Sequence, residues 1–246
     1  MNNAELTWVL LAIAFAATMV GRFVVRRLTV HVRPIRAYDM LPELAADTVE
    51  SAQRVHLSMG SSALGAPSTV TALTSAEIMY QLVERLAISR QAPVITLSDP
   101  ITLSLAQDTL RRAYEYRRTM ARWRSSAAVW FPQGPRSLAF AAGVAAFVAD
   151  AAVDSSILLG RFGTELAVIG AGALRHDQAL IAHSDLVEGQ AVAYVQADEV
   201  LIGEELYVGP AYLNGNALER GGIMALDVLR WLVIVGILVA AVEAAL

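Results

Sequence analysis

The strongest constraint on the fold is a strand-like segment that runs into a Gly/Ser loop and then into a helix. Residues 54–58 predict a short strand, residues 60–65 form the loop, and a helix follows from about Ser68. In α/β folds a loop of this kind lies at the mouth of the sheet, where such folds bind ligands. The sequence therefore predicts a ligand-binding site at one edge of a sheet, formed by loops of this type.

The same order of elements recurs along the chain. Further strands are predicted at 94–98, 138–142, 155–159 and 178–182, with helices at 69–90, 101–124 and 164–174, a helix from Gly143, and a helical or extended segment at 186–196. Alternating strands and helices with short connections are typical of a mostly parallel sheet covered by helices. The predicted fold class is therefore α/β, with a Rossmann-like, mostly parallel sheet.

Apolar segments lie at both ends of the chain. Residues 6–25 are almost wholly apolar, and about 20 such residues match one membrane crossing. Arg26 and Arg27 follow this segment, so the positive-inside rule places the N-terminus outside. The shorter apolar run at 231–246 predicts a second transmembrane helix, with a buried C-terminal helix as the alternative. Residues 137–150 are also apolar but short for a span, so a strand followed by a helix is preferred there.

These segments predict a membrane-anchored layout. Its parts are a transmembrane helix at 1–27, a proline-containing connector at 28–48, a cytoplasmic α/β domain at 49–222 and a transmembrane helix at 223–246. The expected location is an inner (plasma) membrane, with the main domain in the cytoplasm and both termini outside.

Composition excludes several kinds of chemistry. The chain has no Cys, which removes thiol catalysis and cysteine-based metal sites. It also has no Lys, because all 19 basic residues are Arg, so Schiff-base chemistry and a P-loop are excluded. A net charge of −4 gives no case for nucleic acid binding. No metal or other cofactor is predicted.

Candidate ligand-binding residues come from the predicted ends of three strands. They are Ser58, Gly60, Ser61, Ser62, Gly65, Asp99, Gly160, Arg161 and Gly163. Backbone N–H groups at the start of a helix can hold an anion, and an Arg can clamp a phosphate or carboxylate. For the first loop the alternative is a tight crossover or a subunit contact. For Arg161 it is a pair with an acid such as Glu165, and for Asp99 it is a helix cap; both of these are favoured.

Two other groups of side chains carry weaker signals. Arg111, Arg118 and Arg122 belong to a basic cluster that is a candidate contact for anionic lipid or a neighbouring subunit, with nucleic acid or a solvated face as alternatives. His56 and Ser58 share one face of a strand, but they do not aim at each other as a catalytic pair requires, so a packed His56 is favoured. No catalytic residue is predicted.

Several longer motifs resemble a known family. The segments H-L-S-M-G-S-S-A-L-G, P-V-I-T-L-S-D-P, I-T-L-S-L-A-Q-D-T-L-R-R-A-Y, L-L-G-R-F-G-T-E-L and L-I-G-E-E-L-Y are similar to a bacterial membrane-protein family of unknown function, associated with filamentous green non-sulfur (Chloroflexota-type) bacteria. The resemblance covers residues 49–213. It implies an anchored α/β layout and supplies no catalytic residues.

Two functions are therefore expected. The first is a membrane-anchored structural or scaffold protein that assembles as a homo-oligomer, with membrane lipids and further copies of the chain as partners and no nucleic acid. The alternative is a nucleotide- or phosphometabolite-binding sensor or enzyme domain tethered to the membrane.

Overall fold

The protein is described from a computed structural model. The described residues are 33–132, 137–150, 153–214 and 230–238, together with single positions 8, 12, 13, 15, 16, 19, 241 and 242. The chain divides into two compact units, one formed by residues 34–209 and the other by residues 1–33 with 210–246. All sites discussed below lie within residues 34–209.

A parallel sheet of six strands organises residues 34–209. The strands are β1 Arg54–Gly60, β2 Val94–Leu97, β3 Ala128–Trp130, β4 Val153–Arg161, β5 Ala179–Ser184 and β6 Glu199–Val200. They lie in the order β3-β2-β1-β4-β5-β6, and every adjacent pair is parallel. This is the Rossmann strand order, in which the direction of winding reverses between β1 and β4.

Helices connect and cover the strands. They are α1 Arg36–Ser51, α2 Thr69–Leu86, α3 Pro100–Tyr116, α4 Ser137–Asp150, α5 Leu166–Arg175, α6 Val187–Gln196 and the short α7 Gly209–Asn214. Helices α1 to α3 pack on one another and α4 to α6 do the same. With right-handed crossovers this strand order places the two groups on opposite faces of the sheet. The prediction of an α/β fold with a Rossmann-like, parallel sheet is confirmed.

The predicted flanking transmembrane helices are wrong. Among the described residues, no helix combines the length and the apolar character needed to cross a membrane. Of the predicted segment 223–246, the described residues are 230–238, 241 and 242, and all of them are helical. Most of the predicted segment 1–27 lies outside the described residues.

Helix α1 occupies most of the predicted connector. Prolines 34 and 42 suggested extended chain there, yet Pro42 lies inside the helix. The buried side chains Tyr38, Leu41 and Thr48 recur at helical spacing, and burying such a stripe outweighs one missing backbone hydrogen bond. This helix belongs to the compact unit formed by residues 34–209.

Two other predicted boundaries are wrong. Residues 137–150 form one helix and not a strand followed by a helix, because Phe140, Val144 and Val148 are buried at intervals of four residues. Helix α3 ends at Tyr116 and not near Arg124. Its end is marked by Arg118, whose φ of 58° is a left-handed conformation that stops a helix.

A buried polar network crosses the middle of the sheet. His56 Nε2 lies 2.7 Å from Thr96 Oγ1 on β2, and His56 Nδ1 lies 3.3 Å from Ser156 Oγ on β4. Ser156 in turn donates to Gln178 Oε1 at 2.9 Å. His56 is thus a packed, hydrogen-bonded residue, as the sequence favoured. Its burial lowers its pKa to about 3.

Candidate ligand groove at the carboxyl edge of the sheet

The two predicted glycine loops meet where the strand order reverses. Ser61 donates from both its backbone N–H and its Oγ to the carbonyl of Arg161, at 2.8 and 2.9 Å. Arg161 N–H donates to Ser62 Oγ at 2.9 Å. The expected meeting of the loops at the carboxyl edge is therefore observed, and it is a direct contact between the two chain segments.

Glycine at both strand ends is required by this contact. A Cβ on Gly60 would lie 2.3 Å from the carbonyl oxygen of Arg161, and a Cβ on Gly160 would lie 2.1 Å from that of Met59. Real Cβ atoms do not approach backbone oxygens so closely. The crevice in which Rossmann folds usually place a ligand is thus filled here by the protein's own backbone and by Ser61 and Ser62.

The remaining candidates at this edge have structural partners. Ser58 Oγ is buried and donates to the Thr96 carbonyl at 3.1 Å. Asp99 caps α3, as favoured, since its Oδ1 accepts from the N–H and the Oγ1 of Thr102 at 2.8 and 2.9 Å. Gly65 is exposed with a φ of 78°. Gly163 N–H donates to Glu165 Oε1 at 2.9 Å.

Arg161 pairs with an acidic residue, as the favoured alternative to a ligand expected, but its partner is Asp185 in place of Glu165. Its Nη1 lies 3.6 Å from Asp185 Oδ2, at the end of β5. The Arg161 side chain is about a third exposed and that of Asp185 is 14% exposed. This pair links the end of β4 to the end of β5, where an open groove begins.

The basic cluster is mostly engaged in local contacts. Arg111 pairs with Asp108 at 3.0 Å and with Glu115 at 3.3 Å on the same helix. Arg122 Nη1 donates to the carbonyls of Ile88 and Ser89 at 2.8 and 3.1 Å. Arg111 and Arg122 are two of the three residues predicted to contact lipid or a neighbouring subunit, and both are engaged within the chain. The third, Arg118, is exposed.

A groove of about 680 Å³ lies at the carboxyl ends of β5 and β6. One wall is the start and outer face of α6, and the other is the short 3-10 turn Gly203–Leu206 with Tyr207. The turn is fixed because Tyr38 Oη donates to the Glu205 carbonyl at 2.6 Å. The apolar lining comes from Leu186, Val187, Ala191, Tyr194, Val195 and Ile202.

Most polar side chains of the groove are already hydrogen-bonded. Gln190 accepts from Ser184 N–H at 3.1 Å and donates to the Leu201 carbonyl at 3.0 Å. Ser184 Oγ donates to the Phe162 carbonyl at 2.6 Å. Tyr207 Oη lies 3.1 Å from Thr71 Oγ1. These groups shape the groove and have little left to offer a ligand.

Two buried groove atoms have no hydrogen-bond partner within the described part of the chain: His183 Nε2 and Asp185 Oδ1. His183 is only 1% exposed, and its Nδ1 lies 2.9 Å from the Leu201 carbonyl. Burial lowers the pKa of His183, although the hydrogen bond to Leu201 and the charges of Asp185 and Glu205 oppose this shift. The imidazole is therefore neutral near pH 7, with the proton on Nδ1 and a lone pair on Nε2.

Sequence reasoning missed this groove. It included neither His183 nor Asp185 among the candidate ligand-binding residues, and it did not consider the outer face of α6. The available signal was His183-Ser184-Asp185 directly after a strand and before a helix, the same position in the α/β unit that led to the two glycine loops.

No curated protein and no solved structure matches this chain. One family model does match, and it is described as a domain of unknown function (DUF6754). The match extends over residues 1–246, beyond the 49–213 covered by the motif resemblance. The expected resemblance to a family of unknown function is therefore confirmed. The chain belongs to the family defined by the domain of unknown function DUF6754, which accounts for its whole length.

Proposed function

We propose that residues 34–209 form a binding domain for a small molecule with a large apolar part, seated in the groove between α6 and the Gly203–Leu206 turn. The observation that carries the proposal is an open apolar groove of about 680 Å³ with two unpartnered buried acceptors among its described residues. Ligand sites are typically mostly apolar clefts of about 300–1,000 Å³ with a few polar groups that orient the ligand. The carboxyl edge of a parallel sheet is also where such sites lie.

The groove favours an apolar ligand over a nucleotide or another phosphorylated metabolite. Its two unpartnered atoms are acceptors, and a phosphate also presents acceptors, so the two would repel. The backbone N–H of Ser61 and that of Ser62, which could hold a phosphate, donate instead to the carbonyls of Arg161 and Met59. The phosphate chemistry expected of a Rossmann edge is therefore less well supported here than apolar binding.

Filling the groove should remove binding of an apolar probe. Ala191 lines the groove and is exposed, so Ala191→Phe adds bulk to the groove without entering the core. We expect the full-length chain to bind the neutral dye Nile red, with a rise in its fluorescence, and Ala191→Phe to weaken that binding at least about tenfold. A fluorescence titration of both proteins measures the effect.

Ala46→Phe is the matched control, because Ala46 is exposed on α1 and does not line the groove. It should bind the dye as the wild type does. Equal binding by wild type, Ala191→Phe and Ala46→Phe would mean that the dye sits elsewhere, and the proposed function would be abandoned.

A second candidate function is the homo-oligomeric scaffold expected from the sequence. The observation that favours it is the outer face of α6, where Val187, Tyr194 and Val195 are 84%, 69% and 82% exposed. Clustered exposed apolar side chains of this kind mark interaction surfaces more often than isolated ones do. A second copy of the chain that packs on this face would cover the groove.

A charge at the centre of that face should then dissociate the oligomer. If the scaffold proposal holds, light scattering on the full-length chain in mild detergent gives a mass that is a multiple of 26.4 kDa, and Val195→Glu returns it to the monomer. Ile88→Glu is the control, because Ile88 is 56% exposed and follows α2 at the opposite edge of the sheet. A wild type that stays monomeric at all concentrations removes this candidate.

A further inference from the structure

We propose that the ligand of this groove carries a primary ammonium group on an apolar body, and that His183 and Asp185 receive the ammonium. This inference rests on the proposed binding function and names the chemical class of the ligand. It follows from which polar atoms of the groove are still available, from their hydrogen-bonding character and from the local charge.

The available atoms are of one kind. Gln190, Ser184 and Tyr207 have their polar side-chain atoms engaged with Leu201, Phe162 and Thr71 or with nearby backbone. Among the described residues that line the groove, the two buried atoms without a partner are His183 Nε2 and Asp185 Oδ1. Both are acceptors, since Nδ1 of the neutral His183 carries the proton toward the Leu201 carbonyl. A fitting head group must therefore donate hydrogen bonds.

Leaving these acceptors unpaired carries a cost that a ligand can relieve. A buried acceptor without a partner destabilises the protein, and a charged one does so more. His183 is held by its bond to Leu201, and Asp185 Oδ2 by Thr71 Oγ1 at 3.4 Å and by Arg161. Both acceptors are thus fixed before a ligand arrives. Pre-organised polar groups of this kind contribute specificity because little ordering is needed on binding.

The local charge favours a cationic donor over a neutral one. Asp185 carries a carboxylate, and its Arg161 partner is 3.6 Å away and about a third exposed, so the charge is incompletely neutralised. The negative charge of Glu205 also acts on the imidazole of His183, whose pKa it raises. An ammonium has three donors, enough to bond both acceptors, whereas a hydroxyl has one.

The apolar side chains of the groove determine the chemical character of the rest of the ligand. Val187, Tyr194, Val195 and Ile202 are between 50% and 84% exposed and line the groove beyond the two acceptors. An alkyl or aromatic body lying along these walls would bury apolar surface at about 25 cal/mol per Å². The combination of walls and acceptors matches an amphipathic amine.

Three probes of equal chain length test the head group. Octylamine, octanol and octanoate are used to displace Nile red from the full-length wild type at pH 7. We expect octylamine to compete at a concentration about tenfold or more below that of octanol, as is typical of a charge-assisted hydrogen bond. Octanoate should compete least well, because its carboxylate faces two acceptors.

One conservative substitution tests the contribution of the Asp185 carboxylate to this preference. Asp185→Asn keeps the shape of the side chain but removes its charge, and we expect the preference for octylamine over octanol to fall below about threefold. Asp47→Asn is the matched control, because Asp47 is exposed on α1 and away from the groove. It should keep the full preference.

The outcomes separate this inference from the function on which it rests. If the three probes compete equally while Ala191→Phe still loses the dye, the groove binds apolar molecules and the ammonium assignment is overturned. If Asp185→Asn retains the full preference for octylamine, the assigned head-group site is likewise overturned. If Ala191→Phe binds the dye as the wild type does, the binding function itself fails.

Discussion

Gly160→Ala should destabilise the protein by about 3 kcal/mol or more, which is a large part of the total stability of a domain. The added Cβ would lie 2.1 Å from the Met59 carbonyl oxygen and 2.9 Å from Ser62 Oγ. Because Met59 O is a backbone atom between two paired strands, it cannot turn away as a side chain can. Urea denaturation of the full-length chain, followed by circular dichroism, measures the loss.

Gly203→Ala is the matched control for this substitution. Gly203 has a φ of 56°, but a Cβ there meets no heavy atom within 4 Å among the described residues. Its cost is the strain of a left-handed residue, about 1–2 kcal/mol, whereas Gly160 lies outside the left-handed region and its cost is steric. A Gly160→Ala variant as stable as Gly203→Ala would show that β1 and β4 do not approach as closely as described.

The close approach at Gly160 also explains why the groove lies at β5 and β6. In a Rossmann order the crevice opens between β1 and β4, but here Ser61 and Ser62 bond across it to Arg161. Arg161 then reaches Asp185 at the next strand end. An open groove lies one strand further along the carboxyl edge, between α6 and the Gly203–Leu206 turn.

The central part of the fold could be predicted from the sequence. Strands β1, β2, β4 and β5 are buried on both faces, so each is a short run with few charges. Each has a Gly or Ser at or next to its last residue and is followed by a helix. Strands β3 and β6 were missed. They have three and two residues, too few for any periodicity, and are strands only because they pair with β2 and β5.

Two helices, α1 and α4, were not predicted in full although their buried side chains follow the helical period. In α1 the side chains of Tyr38, Leu41 and Thr48 follow the helical period, but Pro42 was given more weight. In α4 the many alanines hide the spacing of Phe140, Val144 and Val148. In both helices, packing against neighbouring helices and strands decides the structure, and local sequence preference does not.

The candidate site was only partly predictable. That the loops at Gly60 and Gly160 share an edge follows from parallel pairing alone. That they close on each other depends on the register, in which Gly60 lies opposite Arg161 after a shift between Ser58 and Gly60. The groove depends on which face of α6 is left uncovered, a tertiary property that short-range patterns do not contain.

Acidification should destabilise the protein through His56. The folded-state pKa of His56 is about 3, whereas its ordinary value is 6.5. Between these values the unfolded chain binds a proton that the folded chain does not, so this contribution to stability is complete above pH 6.5 and is lost as the pH falls. The loss approaches about 1.4 kcal/mol per pH unit. Burial of His183 lowers its pKa and acts in the same direction.

The comparison of two substitutions isolates the contribution of His56. His56→Gln keeps one donor and one acceptor for Thr96 and Ser156 but cannot titrate, so between pH 6.5 and pH 4.5 its unfolding free energy should fall by about 2–3 kcal/mol less than that of the wild type. His176→Gln, at an exposed position, should follow the wild type. Because the carboxylates are common to all three proteins, their titration cancels in the difference. Identical slopes for His56→Gln and the wild type would mean that His56 accepts a proton in the folded state, and hence that the network joining β1, β2 and β4 is open to water.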